Sequence, residues 1–294
     1  MAASYMGITA PWRNNAGRVS AFKIVVLVLV VIPGAVIALR WQAGLLGGRP
    51  INQMVREIGD WIIRLLLLSL AVTPMRVVLD WTRLLQLRRL LGVTTACYAA
   101  IHITLYSYQE SWNLLTVASE IVRRFYLTVG FLALTGLLVL AVTSTNGWQR
   151  SLGRRWKKLH RLVFPVAALA LFHYTLQSKA DVSAAMLAVG VFVWLMLWRA
   201  APRRVQAALW LPPLLTIAAA MVTAAAETAW YGLATGANAE RVLLANLDVG
   251  YGLRPAVQVL ALGVLVWLVA ALRRIRLSRG KRPARRAEAL TEPS

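Results

Sequence analysis

Eight long runs of apolar residues constrain the fold of this chain more than any other feature. Each run is close to the roughly 20 residues that an α-helix needs to cross the hydrocarbon of a bilayer. The runs cover approximately residues 22–39, 61–79, 90–106, 125–143, 162–177, 182–198, 205–226 and 255–272. With 59% hydrophobic residues, the chain has no stretch left for a separate soluble domain. The predicted fold class is therefore all-α, a polytopic membrane bundle of about eight transmembrane helices.

The distribution of charge predicts the orientation of this bundle. A formal net charge of +22 is typical of nucleic-acid-binding proteins, but most of the 33 lysines and arginines lie in both tails and in three alternate connections, near 76–89, 150–161 and 199–204. The positive-inside rule then places both termini in the cytoplasm. The basic surface is expected to meet anionic membrane lipids, and no nucleic acid is needed. Every acidic residue is expected in a loop, in a tail or at a helix end.

Two histidines lie at matching depths in helices that run in the same direction. His102 and His173 follow the arginines Arg89 and Arg161 by three to four helical turns, roughly 18–20 Å along each axis. Ionisable side chains at such depth are costly and usually mark a site, and imidazole is a frequent ligand of haem iron. We interpret the pair as the two axial ligands of one haem b that transfers electrons. The alternative for each ring is a buried hydrogen-bonding residue.

His160 cannot ligate the same iron as His173. It precedes His173 on the same helix by about 20 Å, and the two side chains point about 140° apart. Two roles stay open for His160, namely a possible metal ligand at an inner haem site or a hydrogen-bonding residue at the inner interface. The haem propionates need cationic partners. Arg64, expected one turn into the second helix, and Arg124 are the candidates for cofactor binding, although either side chain could simply extend to the membrane surface.

The order of these motifs resembles the MsrQ (YedZ) family of the ferric-reductase-like transmembrane superfamily. The resemblance rests on residues 73–76, 88–106, 123–164 and 173–179, and it covers roughly residues 20–200. It implies that His102, His160 and His173 correspond to the family's histidines. It also implies haem b and FMN as cofactors. No glycine-rich phosphate loop identifies an FMN site, although the basic residues near Arg150 and Arg154 could contact a phosphate.

The resemblance further implies a role in an electron-transport chain. Family members are flavoprotein subunits of the bacterial inner (cytoplasmic) membrane that pass electrons from the quinone pool to MsrP, a periplasmic molybdopterin enzyme. That partner, not the membrane subunit, is the catalytic methionine sulfoxide reductase, and it repairs oxidised proteins. The expected domains are an N-terminal cytoplasmic tail (1–21), a six-helix haem-binding core (22–200), a two-helix C-terminal extension (201–275) that the minimal family lacks, and a basic cytoplasmic tail (276–294).

Two other functions compete with electron transfer. A transporter that relays protons through histidines would need acidic side chains inside the bundle, and none is expected there. A membrane metal hydrolase would need a motif such as H-E-x-x-H, which the sequence lacks.

Overall fold

A computed structural model describes residue 12 and residues 18–179, 181–246, 250 and 252–288, with side chains through residue 276. The elements of this described part are helices. Eight of them are long and apolar enough to cross a membrane. The chain is therefore a multi-pass transmembrane protein, and the prediction of an all-α class with about eight spans is confirmed. Most of the expected N-terminal tail lies outside the described residues.

Twelve α-helices form the described chain. In order they are α1 (Ala21–Gln42), α2 (Pro50–Val78), α3 (Leu87–Gln109), α4 (Leu114–Arg123), α5 (Phe125–Val142), α6 (Asn146–Leu152), α7 (Arg154–Leu159), α8 (Val163–Gln177), α9 (Ser183–Ala200), α10 (Leu211–Thr235), α11 (Ala239–Ala245) and α12 (Pro255–Glu288). Two 3-10 turns extend spanning helices at one end, Thr82–Gln86 before α3 and His160–Leu162 before α8. Because α12 continues to Glu288, most of the expected C-terminal tail (276–294) is helical.

The second spanning helix begins earlier than its apolar run predicts. α2 starts at Pro50 rather than near residue 61, so Arg64 lies about four turns into the helix and not one turn. Polar side chains in the first turns of α2 have hydrogen-bonding partners. Arg40, in the last turn of α1, donates to both carboxylate oxygens of Glu57 at 2.9 and 2.8 Å. The amide of Gln53 also donates to Glu57, at 3.0 Å. Because these polar groups have partners, the chain is helical from Pro50 to the start of the apolar run, where hydropathy alone predicts a loop.

The expectation that acidic residues avoid helix interiors is wrong. Glu57 and Asp60 lie within α2, and Glu227 lies within α10, which continues to Thr235 rather than ending near residue 226. Glu227 is fully buried. A guanidinium nitrogen of Arg254 lies 3.0 Å from its carboxylate, and Asn246 donates to it at 3.2 Å. The ion pair compensates for removing the charge from water, so a buried carboxylate in this chain does not by itself indicate a proton relay.

The chain divides into two compact units. The first contains residues 1–70 and 86–188, and the second contains residues 71–85 and 189–294. In the first unit, α5 packs against α3, α4 and α8. In the second unit, α10 packs against α11 and α12. Close packing there depends on glycine, since a β-carbon on Gly263 would lie 2.0 Å from the Thr216 hydroxyl oxygen.

Candidate functional site

His102 and His173 lie in the first unit, on α3 and α8. Both rings are half-buried. Helix α5 packs against both of the helices that carry them, α3 and α8. The structure therefore places the two residues that the sequence pairs by depth in one unit, on helices that share a neighbour.

Each imidazole is oriented by a backbone carbonyl of a neighbouring helix. His102 Nδ1 lies 3.0 Å from the Val55 carbonyl oxygen on α2, and His173 Nδ1 lies 2.7 Å from the Tyr126 carbonyl oxygen on α5. A carbonyl only accepts hydrogen bonds, so each Nδ1 carries the proton and donates. Each Nε2 then holds a lone pair in a neutral ring, which is the form that binds a metal.

A glycine lies one helical turn after each of these carbonyls. A β-carbon on Gly59 would lie 3.4 Å from His102 Cε1, and one on Gly130 would lie 2.6 Å from both Cε1 and Nδ1 of His173. In an α-helix the β-carbon tilts toward the N-terminus, so a side chain at either glycine would cover the carbonyl one turn earlier. The two glycines leave these carbonyls open to the histidine rings.

These four supporting residues are not among the site residues predicted from the sequence, although a regular spacing connects them to the histidines. The separation between histidine and carbonyl residue is 47 in both cases. Val55, Gly59 and His102 thus recur with the same spacing as Tyr126, Gly130 and His173. The same arrangement of carbonyl, glycine and histidine therefore occurs twice, once on α2 and α3 and once on α5 and α8.

His160 lies apart from this pair, in the 3-10 turn that precedes α8. Its Nδ1 lies 3.2 Å from the Trp156 carbonyl oxygen, and its Nε2 lies 3.3 Å from the Ser144 hydroxyl oxygen. The ring also stacks on Trp156, with 3.9 Å between centroids. Because both nitrogens have protein partners, the geometry favours the hydrogen-bonding role over iron ligation.

The two arginines proposed for the haem propionates have partners within the protein. Arg64 lies over the Trp61 ring at 4.9 Å and 3.8 Å from the Asp60 carboxylate. Arg124 forms an ion pair with Glu120 and donates to the Tyr126 hydroxyl at 3.2 Å. Arg124 is thus attached to the residue whose carbonyl orients His173. Propionate binding by either arginine stays a prediction.

Comparison with known proteins shows that part of the chain matches a known family. Residues 58–171 match the family described as the ferric reductase like transmembrane component. That stretch includes His102 and His160 and ends just before His173. No solved structure matches the chain.

Several curated relatives share much of their length with the chain. A Rhodospirillum rubrum protein is 40% identical over 192 residues, which are 65% of this chain and 90% of the relative. A Caulobacter vibrioides protein is 43% identical over 171 residues, 57% of this chain and 80% of the relative. A Xanthomonas campestris protein is 40% identical over 155 residues, 52% and 71% respectively. All three carry the name protein-methionine-sulfoxide reductase heme-binding subunit MsrQ.

Proposed function

Since the chain belongs to the MsrQ family, we propose that it is a haem b-binding membrane subunit that passes electrons from the quinone pool to a periplasmic methionine sulfoxide reductase. His102 and His173 are the proposed axial ligands of the iron. A partner resembling MsrP, with a molybdopterin cofactor, reduces the sulfoxide, and this chain supplies it with electrons.

The observation that carries the proposal is the pair of matching hydrogen bonds to the two histidines. A metal-ligating histidine usually donates its other ring N–H to a carbonyl or carboxylate, which fixes the tautomer and the ring direction. Here Val55 and Tyr126 accept from Nδ1 at 3.0 and 2.7 Å. Two half-buried imidazoles held this way, each with Nε2 unprotonated, fit the donor set of a bis-histidine haem.

The chain's own residues determine how such a site works. When bound, haem supplies one-electron chemistry, and the protein sets the potential through ligands, burial and nearby charge. The carbonyls of Val55 and Tyr126 hold the two rings in a fixed direction. Arg64 and Arg124 are proposed to face the propionates.

We also propose that the chain binds FMN and a quinone, although no particular residues are assigned to either. The proposed domains are a haem-binding core (22–200) and a two-helix extension (201–275). The basic residues Arg150 and Arg154, considered for the FMN phosphate, are exposed on α6 and α7. We propose the bacterial inner membrane as the location, with both termini in the cytoplasm, from the charge distribution.

Purified protein tests the proposal directly. It is expected to be red, with a low-spin b-type spectrum that a quinol reduces under anaerobic conditions. Adding the oxidised periplasmic reductase of the same organism together with a sulfoxide substrate should reoxidise the haem. A colourless protein, or a haem that quinol does not reduce, would contradict the proposal.

A further inference from the structure

A cavity of about 470 Å³ lies where α1 is connected to α2. Its volume is within the usual range of small-molecule sites. It is lined by residues 46–49 of the connection and, from the first turns of α2, by Asn52, Gln53, Arg56 and Glu57. The cavity is separate from the hydrogen bonds that orient the histidines.

The cavity carries positive charge that the described residues do not neutralise. Its carboxylate, Glu57, already accepts from Arg40 and Gln53. Arg49 and Arg56 have exposed side chains and no hydrogen bond or ion pair within the described part of the chain. Two guanidinium groups therefore face a concave surface without a counter-charge.

The helix places these groups together. Arg49 directly precedes α2, and Asn52 and Arg56 follow it at spacings of three and four, so the three residues lie on one side of the N-terminal end of this helix. The first backbone bond into this helix runs from the Gln53 N–H to the Arg49 carbonyl at 3.1 Å. The N–H groups of Ile51 and Asn52 come before it, and such N-terminal N–H groups favour anions.

The length of α2 locates the cavity relative to the bilayer. At 29 residues, α2 is about 43 Å long, whereas the hydrocarbon layer is about 30 Å thick. The apolar part of α2 is its C-terminal two thirds. Its first turns therefore lie in the headgroup layer, where phosphate groups of lipids are concentrated.

We propose that Arg49, Asn52 and Arg56 form a binding site for a phosphate group. The guanidinium groups would donate charge-assisted hydrogen bonds to phosphate oxygens, and the Asn52 amide would donate a further one. Both a phospholipid headgroup and inorganic phosphate present this chemistry. The site is independent of electron transfer, and its presence or absence leaves the proposed function unaffected.

Native mass spectrometry of the full-length protein tests the site with two lipid probes. Phosphatidylglycerol carries a phosphate, and monoglucosyldiacylglycerol is a neutral lipid without one. The wild-type protein should retain the first in preference to the second. The double variant Arg49→Gln/Arg56→Gln should lose about tenfold in affinity, because it removes charge-assisted hydrogen bonds. Titration calorimetry with inorganic phosphate shows whether a free anion also binds.

Arg123→Gln is the matched control, because Arg123 is an exposed arginine that lines no described cavity. This variant should bind both probes as the wild type does. Loss of phosphatidylglycerol alone in the double variant assigns the site to a lipid, and loss of inorganic phosphate as well assigns it to phosphate generally. Equal retention of the two lipids by the wild type with no binding of phosphate overturns the proposal, as does an equal loss in Arg123→Gln. A double variant that binds phosphatidylglycerol as tightly as the wild type also overturns it, and the single variants Arg49→Gln and Arg56→Gln repeat the comparison if the double variant does not fold.

Discussion

At the scale of single residues, the candidate site depends on Gly130 as well as on the two histidines. The depth of His102 and His173 along their helices can be predicted from the sequence, because one residue adds a fixed rise to a helix. Gly59 and Gly130 could not be found that way, since their effect arises from a neighbouring helix whose packing is a tertiary property. Arg64 illustrates the same limit, because the start of α2 depends on the Arg40–Glu57 ion pair.

Gly130→Ala is expected to weaken haem binding strongly. The new β-carbon would lie 2.6 Å from His173 Nδ1 and Cε1, so the ring must move away from the Tyr126 carbonyl. Losing an outer hydrogen bond of a metal ligand typically lowers affinity about 10- to 100-fold. Haem content and the g values of the low-spin electron paramagnetic resonance spectrum measure the effect.

Two other alanine variants separate ring positioning from helix packing. Gly59→Ala meets His102 Cε1 at an ordinary contact distance of 3.4 Å, so it should change the spectrum little. Gly136→Ala places a β-carbon 2.4 Å from Val166 and so disturbs the same α5–α8 contact without touching a histidine. It should lower stability but keep the g values. An identical spectrum in Gly130→Ala and wild type would show that the glycine does not position His173.

At the scale of elements, a tyrosine satisfies backbone groups beside the proline of α1. Pro33 lies inside this helix, and the Tyr98 hydroxyl on α3 stands between the Val30 carbonyl and the Gly34 N–H, which would otherwise bond to each other. The hydroxyl donates to the first at 2.8 Å and accepts from the second at 2.9 Å. The apolar run predicts α1 itself, but it does not predict which helix satisfies the freed backbone groups in lipid.

Tyr98→Phe is expected to destabilise the protein by about 1–3 kcal/mol, because it leaves a backbone N–H and a carbonyl without a partner in an apolar setting. Unfolding in mixed micelles with rising sodium dodecyl sulfate measures the change. Tyr108→Phe is the control, since Tyr108 lies on the same helix, is exposed, and has only the Trp112 ring as a described partner. Equal stability of both variants would contradict a structural role for the Tyr98 hydroxyl.

At the scale of the whole molecule, hydropathy predicts the number of spans because each apolar run has to bury its backbone bonds within a helix. All eight predicted spans are present. The division into two units falls within α2 and α9, and not at the basic connection 199–204. Residues 71–85 belong to the second unit, although they lie far in sequence from residue 189, where the rest of that unit begins. The composition along the chain does not reveal which distant segments pack together.

The positive-inside orientation predicts which connections face the periplasm. In a Cys97→Ala background, which removes the chain's one cysteine, single cysteines can be placed at exposed positions of two connections. Gly48→Cys should react with a membrane-impermeant maleimide in cells whose outer membrane alone has been permeabilised. Gln149→Cys should react only after the inner membrane is opened. The reverse pattern would invert the proposed topology.

The account rests on His102 and His173 binding one haem between them, and the haem spectrum of three single variants tests this most directly. His102→Ala and His173→Ala should each lose the low-spin b-type signal, because either change removes an axial ligand. His160→Ala should keep most of it, since both nitrogens of His160 have partners within the protein. A low-spin signal that survives in His102→Ala or His173→Ala, or that disappears only in His160→Ala, would contradict the account.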